Sequence, residues 1–107
     1  MAVPEVLPQQ VKRRLDAGEA LRLLDVREPW ECAIAGLAGS VNIPMGEITS
    51  RWQELDADSE IVVVCKAGSR SRRVAQFLAA QGFGRVSNLS GGIDAWTRDI
   101  DPSLAAY

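Results

Sequence analysis

Apolar and polar positions along the chain alternate between two periods, and the switches between them outline the elements. Val11 and Leu15 lie four apart between Pro8 and Gly18, which predicts a helix that stops at the glycine. Leu21, Leu23, Leu24 and Val26, interrupted by Arg22, read as a buried strand ending near Asp25. Pro29 to Ala35 fits one or two helical turns, followed by a short strand around Val41 to Ile43 and a stop at Pro44. Ile48, Trp52 and Leu55 are spaced for a helix, with a turn at Asp56 to Ser59.

The run Ile61-Val62-Val63-Val64 is the clearest strand. Consecutive β-branched residues favour a strand covered on both faces, as in a parallel sheet. From Ser71 to Gln81 the period returns to helical: Val74, Phe77 and Leu78 share a face, Arg72, Arg73 and Gln76 point away, and Gly82 ends the helix. Val86 to Leu89 is a further strand, and Gly91-Gly92 opens a last helix carrying Ile93, Ala95 and Trp96. This alternation predicts an α/β fold with a mainly parallel central sheet and helices on both faces.

The chain has 107 residues, the size of one domain, with 47% hydrophobic and 24% charged residues, as in an ordinary globular protein. The net charge of -2 argues against nucleic acid as a partner, because phosphate binding needs a basic surplus. There is no histidine, which excludes a Ser-His-Asp triad, a Cys-His pair and a histidine-ligated metal. Two cysteines, Cys32 and Cys65, are too few for a thiolate zinc site or a disulfide framework. Residues 1–10 lack a charged n-region and an apolar run, so no signal peptide is expected, and Ile61–Val64 is too short to cross a membrane. A reducing cytoplasm is the expected compartment.

In open α/β sheets the functional crevice lies beyond the carboxyl ends of the strands. Asp25 closes one predicted strand and Cys65 closes the most hydrophobic one. A lone cysteine in such a strand is either a small buried hydrophobe or a nucleophile. The adjoining segment favours the nucleophile: Lys66-Ala67-Gly68-Ser69-Arg70-Ser71 forms a short glycine-containing turn into a helix N-terminus. Backbone N–H groups of such a turn, with Lys66 and Arg70 nearby, favour a thiolate. Asp25 and Arg27 read as a pair bracing the strand end, whereas Cys32 carries no signal beyond its place in a short helix. Trp30, Trp52 and Trp96 read as core or rim packing, with a pocket or partner border as the second possibility for Trp30.

Four segments together resemble one family. Leu24-Asp25-Val26-Arg27-Glu28 is similar to the opening signature of the rhodanese domain, and Val41-Asn42-Ile43-Pro44 to its Asn-Ile-Pro segment. Cys65-Lys66-Ala67-Gly68-Ser69-Arg70-Ser71 resembles its Cys-x-x-Gly-x-Arg-Ser loop, and Gly91-Gly92-Ile93-Asp94-Ala95-Trp96 its closing Gly-Gly-x-x-Ala-Trp. The matches run in order over nearly the whole chain. One departure is Ala35-Gly36-Leu37-Ala38-Gly39-Ser40, where many members have Gly-His-Ile-Pro-Gly-Ala; Gly36 stands at the histidine and Ala38 at the proline.

The resemblance implies a sulfurtransferase without metal or cofactor. Cys65 would be the catalytic residue, taking a sulfane sulfur from a donor such as thiosulfate and passing it to cyanide, a thiol or a partner protein. Lys66, Ala67, Gly68, Ser69, Arg70 and Ser71 would bind the substrate, with Asp25 and Arg27 as supporting residues. Two other readings stay open: a rhodanese-like interaction module without catalysis, and a cysteine phosphatase. The phosphatase signature places its arginine six residues after the cysteine, whereas Arg70 is five after Cys65, which makes a smaller bowl.

Overall fold

The computed structural model describes residues 2–107. Five strands, β1 (Glu5–Val6), β2 (Leu21–Asp25), β3 (Val41–Asn42), β4 (Glu60–Val64) and β5 (Val86–Leu89), form one sheet in the order β1-β5-β4-β2-β3. Every pairing is parallel. Five helices accompany them: α1 (Pro8–Asp16), α2 (Pro29–Ile34), α3 (Ile48–Arg51), α4 (Ser69–Ala80) and α5 (Gly92–Asp99).

Alternate residues of β4 face opposite sides of the sheet. Ile61 and Val63 join Leu24, Ile48, Val74, Ala75 and Leu78 in one cluster; Val62 and Val64 join Val11, Leu23, Ile93 and Trp96 in another. Thus α3 and α4 cover one face while α1 and α5 cover the other, which is why β4 reads as an unbroken apolar run. Each fully buried aliphatic chain here contributes about 1.5–3 kcal/mol.

The strand order places the chain's change of direction between β2 and β4. From β2 the chain moves outward to β3, whereas from β4 it moves the other way to β5. Their ends are level, since Asp25 pairs with Val64. The crevice of a doubly wound sheet opens at such a switch point, so Asp25 and Cys65 stand side by side at its floor.

Three elements differ from the sequence expectation. The strand β1 gave no signal because only two residues pair, yet Asn88 N–H donates to Pro4 O at 2.9 Å and Ser90 N–H to Val6 O at 2.8 Å. The Ile48–Leu55 helix is instead a single α-turn between two 3₁₀ turns, Met45–Glu47 and Trp52–Glu54, although Ile48, Trp52 and Leu55 do pack on the core. Helix α4 begins at Ser69 rather than Ser71. Its first turn is Ser-Arg-Ser-Arg, which carries no apolar periodicity to betray it.

That early start depends on Gly68, whose φ of 106° is open to glycine at little cost. At the other side of the loop, Gly92 has a φ of 59°, and a Cβ there would lie 2.3 Å from Cys65 O and 2.5 Å from Lys66 O. Gly92→Ala should therefore destabilise the protein by at least about 2 kcal/mol in chemical denaturation. Gly84→Ala, with open space around the new methyl, should stay within about 0.5 kcal/mol.

Candidate active site

Cys65 follows β4 directly and is 1% exposed. Its carbonyl accepts Ile93 N–H at 2.9 Å and that of Lys66 accepts Asp94 N–H at 3.0 Å, so the first turn of α5 clamps the loop. Gly68, in its left-handed conformation, turns its N–H back onto Cys65 Sγ at 3.0 Å. Ser71 Oγ lies 3.2 Å from the same sulfur. Ser69, Arg70 and Ser71 open α4, and the N–H groups of a first helical turn have no intrahelical acceptor. The sulfur therefore sits among polar donors at the positive end of a helix.

The two loop cations do not stand free. Arg70 forms a bidentate pair with Glu31 at 2.7 and 2.9 Å, and Lys66 reaches Asp94 at 3.0 and 3.1 Å. Lys66 Nζ also lies 5.0 Å from the Tyr107 ring centroid. Each of the two loop charges is thus balanced by a carboxylate. Ala67 carries only its backbone into the loop.

Beneath the loop, Asp25 and Arg27 form an ion pair at 2.7 Å with both side chains buried. Arg27 also donates to Ala35 O at 2.6 Å and to Tyr107 Oη at 2.7 Å. Asn42 Nδ2 donates to the carbonyls of Asp25 and Arg27, both at 2.9 Å, tying β3 to the strand end. The planar guanidinium fork meets these acceptors in several directions, which a lysine could not.

Three residues at the site escaped the sequence reading. Glu31, buried in α2, joins Arg70 to Tyr107, whose hydroxyl donates to Glu31 Oε2 at 2.9 Å. Asn88 is fully buried in β5 and reaches Ser71 and Gly68. A polar pair, Ser87 and Asn88, inside a buried strand was the available signal for Asn88; a single carboxylate in the six-residue α2 gave none for Glu31. Trp30 is 61% exposed and meets Tyr107 edge-on at 6.0 Å, so it is a rim residue and not core.

Cys32 lies in α2, half-buried. Burial, and then the charge of Asp25, push its thiol above the usual range. A thiol held in this way is a poorer nucleophile than an ordinary cysteine. Among the described residues no cluster of His, Cys, Asp and Glu could hold a metal ion, and no helix is long and apolar enough to cross a membrane.

The fold and site thus define a doubly wound α/β protein with one cysteine in a donor-lined loop at the switch point. The sequence profile of the rhodanese-like domain matches residues 7–99, and the chain belongs to that family. A sulfurtransferase of Allochromatium vinosum is 37% identical over 103 residues, spanning 96% of each chain. A rhodanese-related protein from Thermoplasma volcanium superposes with a TM-score of 0.84 at 30% identity, covering 91% of this chain and 93% of that one. A human single-domain sulfurtransferase gives 0.83 at 25% identity, covering 92% and 98%. The chain spans only 52% of the length of a Bacillus subtilis relative, YrkF, to which it is 38% identical over 96 residues. The relatives named as sulfurtransferases support sulfurtransferase activity in general.

The Glu31 carboxyl is held down from the ordinary 4.5 to about 2 by its hydrogen bonds to Arg70, which outweigh the opposing effect of burial. A depressed carboxyl stabilises the fold fully above its unfolded value and loses that stabilisation as pH falls toward the folded one. Glu31→Gln should cost about 1–3 kcal/mol at neutral pH. The stability gap between parent and variant should close between pH 4.5 and about 2, measured by denaturant titrations across that range.

Proposed function

We propose that this chain is a sulfurtransferase that carries a sulfane sulfur as a persulfide on Cys65. The single observation supporting it most is the seating of Cys65 Sγ, with Gly68 N–H at 3.0 Å and the Ser71 hydroxyl at 3.2 Å, at the open end of a parallel sheet. The thiolate attacks the outer sulfur of thiosulfate, a new S–S bond forms, and the sulfur–sulfur bond of the donor breaks. Sulfite leaves with the electron pair, and the negative charge comes to rest on the outer sulfur of the persulfide. First-turn N–H groups of α4 and the loop amides of Lys66 to Ser69 supply fixed dipoles for that charge.

In the second half of the cycle a nucleophilic acceptor attacks the outer sulfur. Cyanide serves in an assay, and a thiol or partner protein is the acceptor in the cell. The S–S bond to Cys65 breaks and its thiolate is restored. Neither half needs a general base, which suits a chain without histidine. On this reading the rhodanese-like domain carries the sulfur without a cofactor, nucleic acid or membrane. The cytoplasm, a reducing compartment, suits a site whose working group is a free thiol.

The phosphatase alternative loses ground on charge as well as on loop length. Arg70 is engaged at both terminal guanidinium nitrogens by Glu31, which removes the two-pronged grip a phosphate needs. Intact-mass measurement after incubation with thiosulfate tests the proposal. The parent and Cys32→Ser should gain the mass of one sulfur atom and lose it again to cyanide, whereas Cys65→Ser should do neither. Thiocyanate formation by Cys65→Ser at the parent rate would refute the assignment.

A further inference from the structure

Asn88 has its side chain buried in β5, one layer behind the cysteine loop. Its Nδ2 donates to Gly68 O at 3.0 Å and to the Glu5 carboxylate at 3.0 and 3.1 Å. Only acceptors lie on that side, so the amide is oriented with Oδ1 facing Ser71. The Ser71 hydroxyl is within hydrogen-bond reach of three groups: Cys65 Sγ at 3.2 Å, Gly68 O at 3.2 Å, and Asn88 Oδ1.

A hydroxyl has one hydrogen to give. Gly68 O already takes the Asn88 amide and Arg72 N–H, the latter at 3.2 Å, which occupies both of its lone pairs. The choice is therefore between the sulfur and Asn88. An amide oxygen cannot donate, so its contact with Ser71 requires the hydroxyl hydrogen. While the hydrogen points there, Ser71 Oγ can only accept at the sulfur. That arrangement fits a thiol S–H and leaves a thiolate short of one donor. Turning the hydrogen to the sulfur satisfies a thiolate, its proton having gone to solvent, but strands a buried amide oxygen.

We propose that Asn88 is a positioning residue that competes with Cys65 Sγ for the Ser71 hydrogen and so restrains the free cysteine from acting as a thiolate. The proposal rests on the sulfurtransferase reading for its functional meaning. Once a second sulfur is attached, Sγ is neutral and the charge lies one atom further out. The Ser71 hydrogen is then free to return to Asn88. The restraint thus falls on the empty site and not on the loaded one, and protects a waiting thiol from stray electrophiles.

Opposite signs for two neighbouring substitutions give the test. Iodoacetamide alkylation of Cys65 at neutral pH is followed in a Cys32→Ser background, with thermal unfolding as a check on the fold. Asn88→Ala should react about three- to tenfold faster than the parent, and Ser71→Ala slower by a similar factor. The double variant should match Ser71→Ala, because without the hydroxyl there is nothing to compete for. Ser71→Thr, which keeps the hydroxyl, should restore the parent rate. If Asn88→Ala does not fold, Asn88→Val suits a buried strand position and carries the same expectation. An unchanged or slower rate in a folded Asn88 variant, or additive effects in the double variant, would overturn the proposal. Loading by thiosulfate, read by mass on the same proteins, judges the sulfurtransferase reading separately: a parent that never loads sinks that reading, whatever the alkylation rates show.

Discussion

The contact on which the site depends is the seating of the β4–α4 loop against the first turn of α5. Two loop carbonyls, of Cys65 and Lys66, accept N–H groups of Ile93 and Asp94, and a glycine at position 92 is what permits the approach. The same contact satisfies two of the orphan donors of α5 and fixes the direction in which the chain leaves β4. From there Gly68 turns in the left-handed region, its N–H meets the sulfur, and α4 starts with its positive end at the cysteine. The backbone itself thus holds the Cys65 sulfur in place. Preorganised dipoles of this kind act without reorganising during the reaction.

A second layer of constraint lies beside and beneath the loop. Asp25, Arg27, Glu31, Arg70 and Tyr107 form a connected set of charged and polar groups, in which Arg27 is wholly buried. Such a cluster is tolerable only if every member is satisfied. It is: among the described residues no buried side-chain nitrogen or oxygen lacks a hydrogen-bond partner. The cluster ties the end of β2 to α2, to the first turn of α4 and to the tail at Tyr107. It thereby joins both sides of the switch point. It also leaves the mouth of the site with its cations matched by carboxylates.

Much of this was legible in the residues. Ile61–Val64 announced a central parallel strand because both of its faces are covered, and Cys65 was placed at its carboxyl end by counting alone. The two-residue β1 carried no period and became a strand only through its pairing with β5. The first turn of α4 was hidden because Ser69, Arg70, Ser71 and Arg72 are all polar and carry no apolar period. Partners of the loop charges, Glu31 and Asp94, and the tail residue Tyr107 come from distant segments, so no local spacing could reveal them. Asn88 did carry a signal, a buried amide in a strand, but its bonding partners emerge only from the fold.

A crystal structure of the protein soaked in thiosulfate tests the central claim most directly, because it locates the transferred atom. The account predicts density for one additional sulfur bonded to Cys65 Sγ, lying among the N–H groups of the Lys66–Arg70 loop, with Cys32 unmodified. An unmodified Cys65 after full soaking, or a sulfur attached to Cys32 instead, would contradict it.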